Sequence, residues 1–129
     1  MEMRQDRTVI RIRLSRRTKN HLNSMYFGAL AVGAELVVAA KAVHAIEVSK
    51  MKVDFVFKDF KVEFFKRAEG DVFFICDQGL AVEALVAQTL ASGERVTRTF
   101  QGYGVVPSKN AEEKILQFDV TLSVKRRRS

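Results

Sequence analysis

The sequence predicts an α+β protein in which a curved antiparallel β-sheet wraps around one long central helix. Its elements follow in the order strand, long apolar helix, about three strands, short helix and two last strands. The long helix is apolar on nearly all sides, so other parts of the protein must surround it. The later strands alternate apolar and polar residues, which gives each strand one buried face. A sheet that curls around the helix satisfies all three observations, with the short helix before the last two strands.

The chain length predicts a single domain over residues 1–129, and no Pro-rich or Gly-rich linker divides it. The charged start MEMRQDRTVI is unlike a secretory signal. The apolar run around Glu35 is too short and too interrupted to span a bilayer. The lone Cys76 cannot form a disulfide within the chain, which agrees with a reducing compartment. Together these features predict a cytoplasmic protein without a membrane span.

The formal net charge of +7 comes from the two ends of the chain. Residues 1–19 hold seven basic and two acidic residues, and KRRR occupies 125–128. The remaining body has more acidic than basic residues. We therefore expect a basic C-terminal tail over 125–129, which aids solubility or attracts a polyanion. Nucleic acid is the least favoured partner, because the basic residues are not spread over the folded body.

The first two elements can be predicted from local pattern. A strand is expected in TVIRIRL, where Ile10, Ile12 and Leu14 alternate with arginines. The long helix is expected from about Phe27 to His44. Ser24 is a plausible N-cap for it. Many Ala and Gly residues make the helix thin, as suits an element enclosed by others.

The strand after the helix changes its alternation at Lys58-Asp59. Apolar residues occupy every second position on both sides of this point, but the two series are out of phase. Because strand side chains alternate with period two, the slip predicts a β-bulge or a tight turn. A further strand is predicted in GDVFFICD, a helix from about Gly79 to Ser92 ending at Gly93, and two strands in ERVTRTFQGYGVV and EKILQFDVTLSVK.

A single carboxylate, Glu35, lies in the middle of the apolar helix. A carboxylate in apolar surroundings costs several kcal/mol unless it is paired. Either a hydrogen bond across an interface or a chemical role in a site would explain its presence. The sheet covers only one side of the helix, so the remaining apolar side needs a partner. A symmetric homodimer, alone or as a dimer of dimers, is the simplest arrangement.

Two segments carry a resemblance to a known family. The first is NHLNSMYFGALAVGAE, which ends at Glu35, and the second is FKVEFFKRAEGD at 60–71. On these motifs the chain resembles the PaaI-like group of hotdog-fold thioesterases and is most similar to its DUF4442 branch. The resemblance follows the element order over nearly the whole chain. It implies the hotdog fold.

The resemblance also implies hydrolysis of an acyl thioester, carried by coenzyme A or by an acyl carrier protein, in a site shared by two subunits. Asn20 corresponds to the family's asparagine in the loop before the helix. The backbone N–H groups of Phe27 and Gly28 correspond to the oxyanion hole. Glu35 of the other subunit corresponds to the general base or nucleophile. Coenzyme A would enter as part of the substrate, with no further cofactor and no metal.

The spacing of these residues favours a site composed from two chains. Glu35 follows Phe27 by eight residues, which is about 12 Å along a helix axis. One chain cannot bring both to the same carbonyl carbon. If the helix N-terminus holds an oxyanion, the carboxylate that activates water must come from a neighbouring chain.

Basic residues are candidates for binding the phosphates of coenzyme A or of a carrier's phosphopantetheine. By charge and by similarity to the family's strand ends, we expect Lys66, Arg67, Arg95 and Arg98 in this role. Lys58 is a further candidate, since bulges often re-aim side chains beside sites. A lysine on a solvated sheet edge is the simpler interpretation of Lys58.

Two other functions stay open. A non-catalytic acyl-thioester-binding protein on the same fold is favoured by Tyr26-Phe27, which stands where the family usually has His-Gly. A hydratase of this fold is less favoured, because its Asp-x-Asn-Pro-x-His motif does not occur.

Overall fold

A computed structural model of the chain describes residues 1–21, 24–25 and 27–127. Over these ranges the chain forms six strands in one antiparallel sheet, with the spatial order β1-β2-β4-β5-β6-β3. The strands are Glu2–Met3 (β1), Thr8–Ile12 (β2), Val53–Phe64 (β3), Val72–Cys76 (β4), Val96–Val106 (β5) and Ala111–Arg126 (β6). The helices are Phe27–Ser49 (α1), Gly79–Ser92 (α2) and Pro107–Asn110 (α3). The predicted combination of a sheet, a long helix and a short helix is confirmed.

The long helix α1 packs against the sheet through a face of small and branched residues. Ala34, Val37, Val38 and Ala42 are fully buried on that face. Helix α1 ends at Ser49, more than a turn beyond the predicted end near His44. The sequence between His44 and Ser49 contains no glycine or proline, so nothing in it breaks the helix earlier. Its apolar composition reflects its place at the centre of the fold.

The strand β3 lies at one edge of the sheet and carries the predicted bulge. Its pairing with β6 changes register between Phe57, opposite Leu122, and Asp59, opposite Thr121. Lys58 is therefore the extra residue of a β-bulge, which confirms the interpretation of the alternation. With β6 on one side, β3 leaves its other edge without a paired strand among the described residues.

The helix α2 has the predicted bounds and the predicted C-terminal glycine. Gly93 adopts a left-handed conformation with φ of 72°, and its N–H donates to the carbonyl of Thr89. Such a conformation favours glycine because it has no Cβ. The helix buries Val82, Leu85 and Val86. It packs on α1 and on the inner face of β5 and β6.

The end of the chain differs from the predicted basic tail. Lys125 and Arg126 belong to β6, where they pair with Asp54 and Val53 of β3. Arg127 forms an ion pair with Asp54, and its N–H donates to the carbonyl of Lys52. The tail interpretation is therefore wrong for 125–127, and residues 128–129 lie outside the described part. Strand pairing, which a charge count does not reveal, holds these residues on the sheet.

The alternation of β6 is confirmed on its inner face. Leu116, Phe118, Val120, Leu122 and Val124 are buried against the helices. The outer face is not wholly exposed to solvent, because its serine, Ser123, is buried too.

Among the described residues, one helix is long and apolar enough to cross a bilayer by length and composition. It covers Gly28–Ser49, with a mean hydropathy of 1.7 over its most apolar window. The prediction that this apolar run is too short to span a membrane is therefore wrong. Half of that window is buried inside the protein, as in the core helix of a globular fold.

Candidate functional site

The loop before α1 is closed by Asn20. The N–H of Asn20 donates to the carbonyl of Ser24 at 2.6 Å, and Asn20 Oδ1 accepts from the Ser24 N–H at 3.2 Å. Lys19 and Met25 form a β-bridge across the same loop. Asn20 thus fixes the chain immediately before the helix N-terminus. Its side-chain amide therefore has a structural role in this loop.

Ser24 does not cap the helix, so that prediction is wrong. Helix α1 begins at Phe27, so the N-cap position is residue 26. Ser24 lies two residues before that position. The Ser24 hydroxyl is buried and has no hydrogen-bond partner among the described residues. Tyr26, which occupies the position just before the helix, lies outside the described part.

The helix N-terminus is docked on the segment between β3 and β4. The Met25 N–H donates to the carbonyl of Ala68 at 2.8 Å, and Ala68 is buried. Just beyond it, Asp71 Oδ1 accepts from the Leu14 N–H at 2.8 Å, and Asp71 Oδ2 accepts from Arg11 Nε at 3.0 Å. The Arg11 guanidinium and the Leu14 N–H lower the pKa of the Asp71 carboxyl. These contacts anchor both sides of the loop that leads into α1.

The start of α1 has the chemistry of an anion site. The N–H groups of Phe27 and Gly28 lie in the first turn, where they have no acceptor within the helix. The positive end of the helix dipole lies at the same place. No acidic residue occupies the first turn of α1. A developing oxyanion can therefore accept hydrogen bonds there without repulsion from a nearby carboxylate of the helix.

Glu35 lies two turns along the same helix and is half-buried. It makes no hydrogen bond or ion pair within the described ranges. It borders a stripe of apolar side chains that α1 leaves open: Val32, Leu36 and Val43 are 51%, 45% and 37% exposed. A carboxylate at the margin of an open apolar surface is solvated in one protomer and would be enclosed when that surface is covered.

The open apolar stripe continues onto β3. Phe57 and Phe64 point to the same side of the sheet as the buried Leu122 and Leu116 opposite them, yet both are more than a third exposed. Both side chains are therefore only partly covered within one protomer. An apolar helix face, exposed Phe side chains and an unpaired strand edge therefore lie together.

The structure divides the predicted phosphate ligands between two ends of the molecule. Lys66 N–H donates to the carbonyl of Ile115 at one end of β6, whereas Arg95 donates to Ser123 Oγ at the other. Ile115 and Ser123 are eight residues apart on β6, which is about 26 Å at about 3.3 Å per residue of strand. Arg98 lies at the same end of β6 as Arg95, since it pairs with Leu122. Its guanidinium lies 5.8 Å from the Phe100 ring centroid. Within one protomer the predicted set cannot form one site.

Of the predicted phosphate ligands, Lys66 and Arg67 lie near the N-terminus of α1. They directly precede Ala68, whose carbonyl accepts the hydrogen bond from Met25. Lys66 forms a 2.8 Å ion pair with Glu113. Both basic residues line a cavity of about 360 Å³ that also includes Lys109. The sequence interpretation missed Lys109, which is brought there by the short helix α3. Pro107, a turn residue between the last two strands, was the available signal.

Lys58 is exposed at the bulge, with no ion pair to any residue of the described ranges. Phe57 faces inward and Asp59 faces outward on either side of it. No cluster of three or more His, Cys, Asp or Glu side chains suited to a metal occurs within the part of the chain that the structure describes.

Known structures share this fold at low sequence identity. A protein of unknown function from Chlorobaculum tepidum is similar with a TM-score of 0.79 and 9% identity, over 95% of this chain and 78% of that one. A candidate thioesterase from Shewanella oneidensis has a TM-score of 0.74 and 11% identity, over 98% and 81% of the two chains. A thioesterase from Haemophilus influenzae has a TM-score of 0.69 and 12% identity, over 98% and 76%.

No curated protein sequence matches the chain. The profile of DUF4442, a domain of unknown function, matches residues 1–99. This match includes the loop before α1, the whole of α1 and the strand after it. The chain therefore belongs to the DUF4442 family, and its architecture is the hotdog fold of the thioesterases to which it is similar.

Proposed function

We propose that the protein hydrolyses an acyl thioester of coenzyme A or of an acyl carrier protein, in a site composed from two subunits. The observation that carries the proposal is Glu35, a half-buried carboxylate with no partner among the described residues. It borders the open apolar stripe of α1, two turns beyond the helix start, where the first N–H groups have no acceptor within the helix. The similarity to thioesterases of the same fold supports this chemistry.

The first chemical step is addition of water to the thioester carbonyl. Glu35 of one subunit accepts a proton from water as the water oxygen bonds to the carbonyl carbon. The carbonyl oxygen becomes an oxyanion, which accepts hydrogen bonds from the N–H groups of Phe27 and Gly28 in the other subunit. The C–S bond then breaks, and the leaving thiolate takes the proton from Glu35. The products are a carboxylic acid and a thiol, and the carboxylate of Glu35 is restored.

Glu35 could instead attack the carbonyl directly and form a mixed anhydride, which water then hydrolyses. Both routes need the same two parts, namely the carboxylate and the helix N-terminus. Both also place them on different chains, because about 12 Å separates them along one helix.

A homodimer would assemble this site. The exposed apolar stripe of α1, the exposed side chains of Phe57 and Phe64, and the open edge of β3 form a continuous surface suited to a second copy. Two helices packed antiparallel across a twofold axis would bring each Glu35 toward the partner's helix start. Each dimer would then contain two composite sites.

Lys66, Arg67 and Lys109 are the better candidates for the phosphates of coenzyme A or phosphopantetheine at the helix N-terminus that they flank. Arg95 and Arg98 lie at the opposite end of the same protomer from this helix N-terminus. They could therefore bind phosphate only in a site that is completed by another chain. Lys58 lies on the open edge of β3, where a second copy would meet it.

The second candidate function is binding of an acyl thioester without hydrolysis. It is favoured by one observation: Tyr26-Phe27-Gly28 replaces the family's usual His-Gly-Gly at the proposed oxyanion hole. A larger residue at this point limits how closely a carbonyl can approach the backbone.

Release of free thiol from a panel of acyl-CoAs and acyl carrier thioesters tests the proposal. We expect turnover by the wild type and a loss of about a hundredfold or more in kcat for Glu35→Gln, since this variant lacks the base. Glu112→Gln, which changes an exposed carboxylate on β6, is the matched control and should keep full activity. Sizing chromatography must show the same oligomer for all three proteins.

Thioester binding with no turnover in the wild type would favour the second candidate. Equal activity of Glu35→Gln and the wild type would overturn the assigned role of Glu35.

A further inference from the structure

The turn between α1 and β3 presents an apolar side chain between two cations. Its sequence is Lys50-Met51-Lys52, and all three residues are exposed, Met51 to 41%. Hydrogen bonds hold the turn in place. The Met51 N–H donates to Ser49 Oγ at 3.1 Å, and the Lys50 N–H donates to the carbonyl of Glu47 at 3.2 Å. The two ammonium groups and the thioether therefore lie together at one corner of the surface.

Lys50 adopts a left-handed backbone conformation, with φ of 58°. Within the described ranges it is the only residue other than glycine with a positive φ. Glycine and asparagine adopt this conformation beyond a helix end more easily than lysine does. Strained backbone of this kind concentrates at functional sites, so the lysine side chain itself is the feature that needs an explanation.

The end of β6 brings two further cations to this turn. The Arg127 N–H donates to the carbonyl of Lys52 at 2.8 Å. The Arg126 N–H donates to Thr89 Oγ1 at 2.9 Å, and its guanidinium donates to the carbonyl of Leu90 at 3.1 Å. A cavity of about 690 Å³ lies between these segments and the turn after α2. Five of its lining residues, which we call the basic tip, are Lys50, Met51, Lys52, Arg126 and Arg127.

Positive charge at the basic tip exceeds the negative charge around it. Of its four cations, Arg127 is paired with Asp54. The other three face Glu94, which also lines the cavity, and the C-terminal ends of α1 and α2, each equivalent to about half a negative charge. Glu47, one turn earlier on α1, lines a different cavity. The exposed Lys125 on β6 adds to the excess, so the basic tip attracts anions.

The basic tip lies outside the surface that the proposed homodimer would cover. Val48, two residues before Lys50, is 67% exposed. It follows Val43 of the open apolar stripe by five residues, which places it about 140° further around the helix. The carbonyl of Lys52 accepts from Arg127 of β6, on the paired side of β3 rather than on its open edge.

We propose that the basic tip docks the protein on an anionic membrane surface. Met51 and Val48 enter the headgroup region, where their side chains leave water, and the surrounding cations pair with lipid phosphates. This docking goes beyond thioester hydrolysis and does not depend on it.

The make-up of the basic tip favours lipid over two other anionic partners. Among the described residues that line the cavity none is aromatic, so nucleic acid bases have no ring on which to stack. The basic tip is also small for an acidic protein, because a stable protein interface uses about 20 or more residues on each side. A lipid surface needs only a few cations with an exposed aliphatic side chain among them.

The test is cosedimentation of the full chain with vesicles of phosphatidylcholine alone and of equal parts phosphatidylcholine and phosphatidylglycerol. We expect binding to the mixed vesicles only, and release at about 1 M salt, where charges more than about 3 Å apart are screened. Lys50→Gln combined with Lys52→Gln should weaken binding by about fivefold for each lysine, the ratio equivalent to about 1 kcal/mol. Lys61→Gln combined with Lys114→Gln removes the same charge from exposed positions elsewhere on the sheet and should bind like the wild type.

A tryptophan at the tip reports insertion directly. The chain contains no tryptophan, so Met51→Trp provides a single fluorophore. Its emission should shift to shorter wavelength with the mixed vesicles and be quenched by brominated lipid tails, because the ring then lies at the membrane interface. Ala111→Trp, at the opposite end of β6, is the matched control and should show neither change. Circular dichroism establishes that each variant keeps its fold.

Equal binding to neutral and mixed vesicles, full binding by the double Lys50/Lys52 variant, or an unchanged Met51→Trp emission would overturn the inference. Binding of a labelled RNA oligonucleotide that is tighter than vesicle binding and is lost in the same double variant would overturn it in favour of nucleic acid. None of these measurements uses a thioester, so a failure here is distinguishable from a failure of the proposed hydrolase.

Discussion

Gly33 shows at the residue scale why the central helix needs small side chains. A Cβ atom at this position would lie 2.2 Å from Cε2 of Phe74. Phe74 is fully buried at the centre of the sheet, so its ring has little room to move. The absence of a side chain at Gly33 allows the helix and the sheet to approach each other closely.

We predict that Gly33→Ala destabilises the protein by about 1 to 3 kcal/mol, because the added methyl group overpacks the core. In a helix without tertiary contacts the same change would instead stabilise by up to about 1 kcal/mol. Urea unfolding of the two proteins measures the difference. A variant as stable as the wild type, or more stable, would contradict the close packing of Phe74 on Gly33.

Lys41 and Glu83 join the two main helices at the scale of elements. The Lys41 ammonium is buried under α2, and its hydrogen bond lowers the pKa of the Glu83 carboxyl. The ionised pair therefore favours the folded protein above the ordinary carboxyl pKa. This contribution is lost as the pH falls through the lowered pKa of Glu83.

We predict that Glu83→Gln destabilises the protein by about 2 kcal/mol at neutral pH, since it leaves the Lys41 charge buried and unpaired. Glu83 is itself about one-third exposed, so the cost is smaller than for a fully buried pair. Lys41→Met is the matched variant and should cost less, because Glu83 alone can reach water.

The difference in unfolding free energy between the wild type and Glu83→Gln should shrink as the pH is lowered into the acid range, because Glu83 of the wild type then becomes protonated. Urea unfolding at a series of pH values measures it. A difference that stays constant, or grows in acid, would contradict a stabilising pair.

The elements that could be predicted are those whose signals are local. The bulge at Lys58 follows from the period of two in a strand, and the end of α2 follows from the left-handed Gly93. The short elements β1 and α3 were missed, because two to four residues are too few for a periodic signal. Helix α1 passes the predicted end near His44 and continues to Ser49, because no proline or glycine stop signal follows His44 before residue 50.

The candidate site was predictable only in part, because only some of its residues are close together in the sequence. Asn20, Gly28 and Glu35 are close in sequence, so their placement on one loop and one helix could be anticipated. The basic residues are far apart in sequence, and their separation along β6 depends on the sheet topology. Charge alone could not show that Lys66 lies at the helix N-terminus and Arg95 does not.

The central claim concerns the whole molecule, namely that two chains make one active site. Glu35→Gln removes the carboxylate, and Gly28→Pro removes a backbone N–H in the first turn, where proline is tolerated. Each variant alone should be inactive. In a dimer with one chain of each kind, one composite site contains both changes and the other contains neither.

The measurement that tests this claim most directly is thioesterase activity after the two inactive variants are unfolded together, refolded as a one-to-one mixture and checked by sizing chromatography. The account predicts recovery of about a quarter of wild-type activity, because half of the dimers are mixed and each has one intact site of two. Refolding each variant alone is the control and should recover nothing. A mixed protein that contains heterodimers and remains inactive would contradict a site shared between chains.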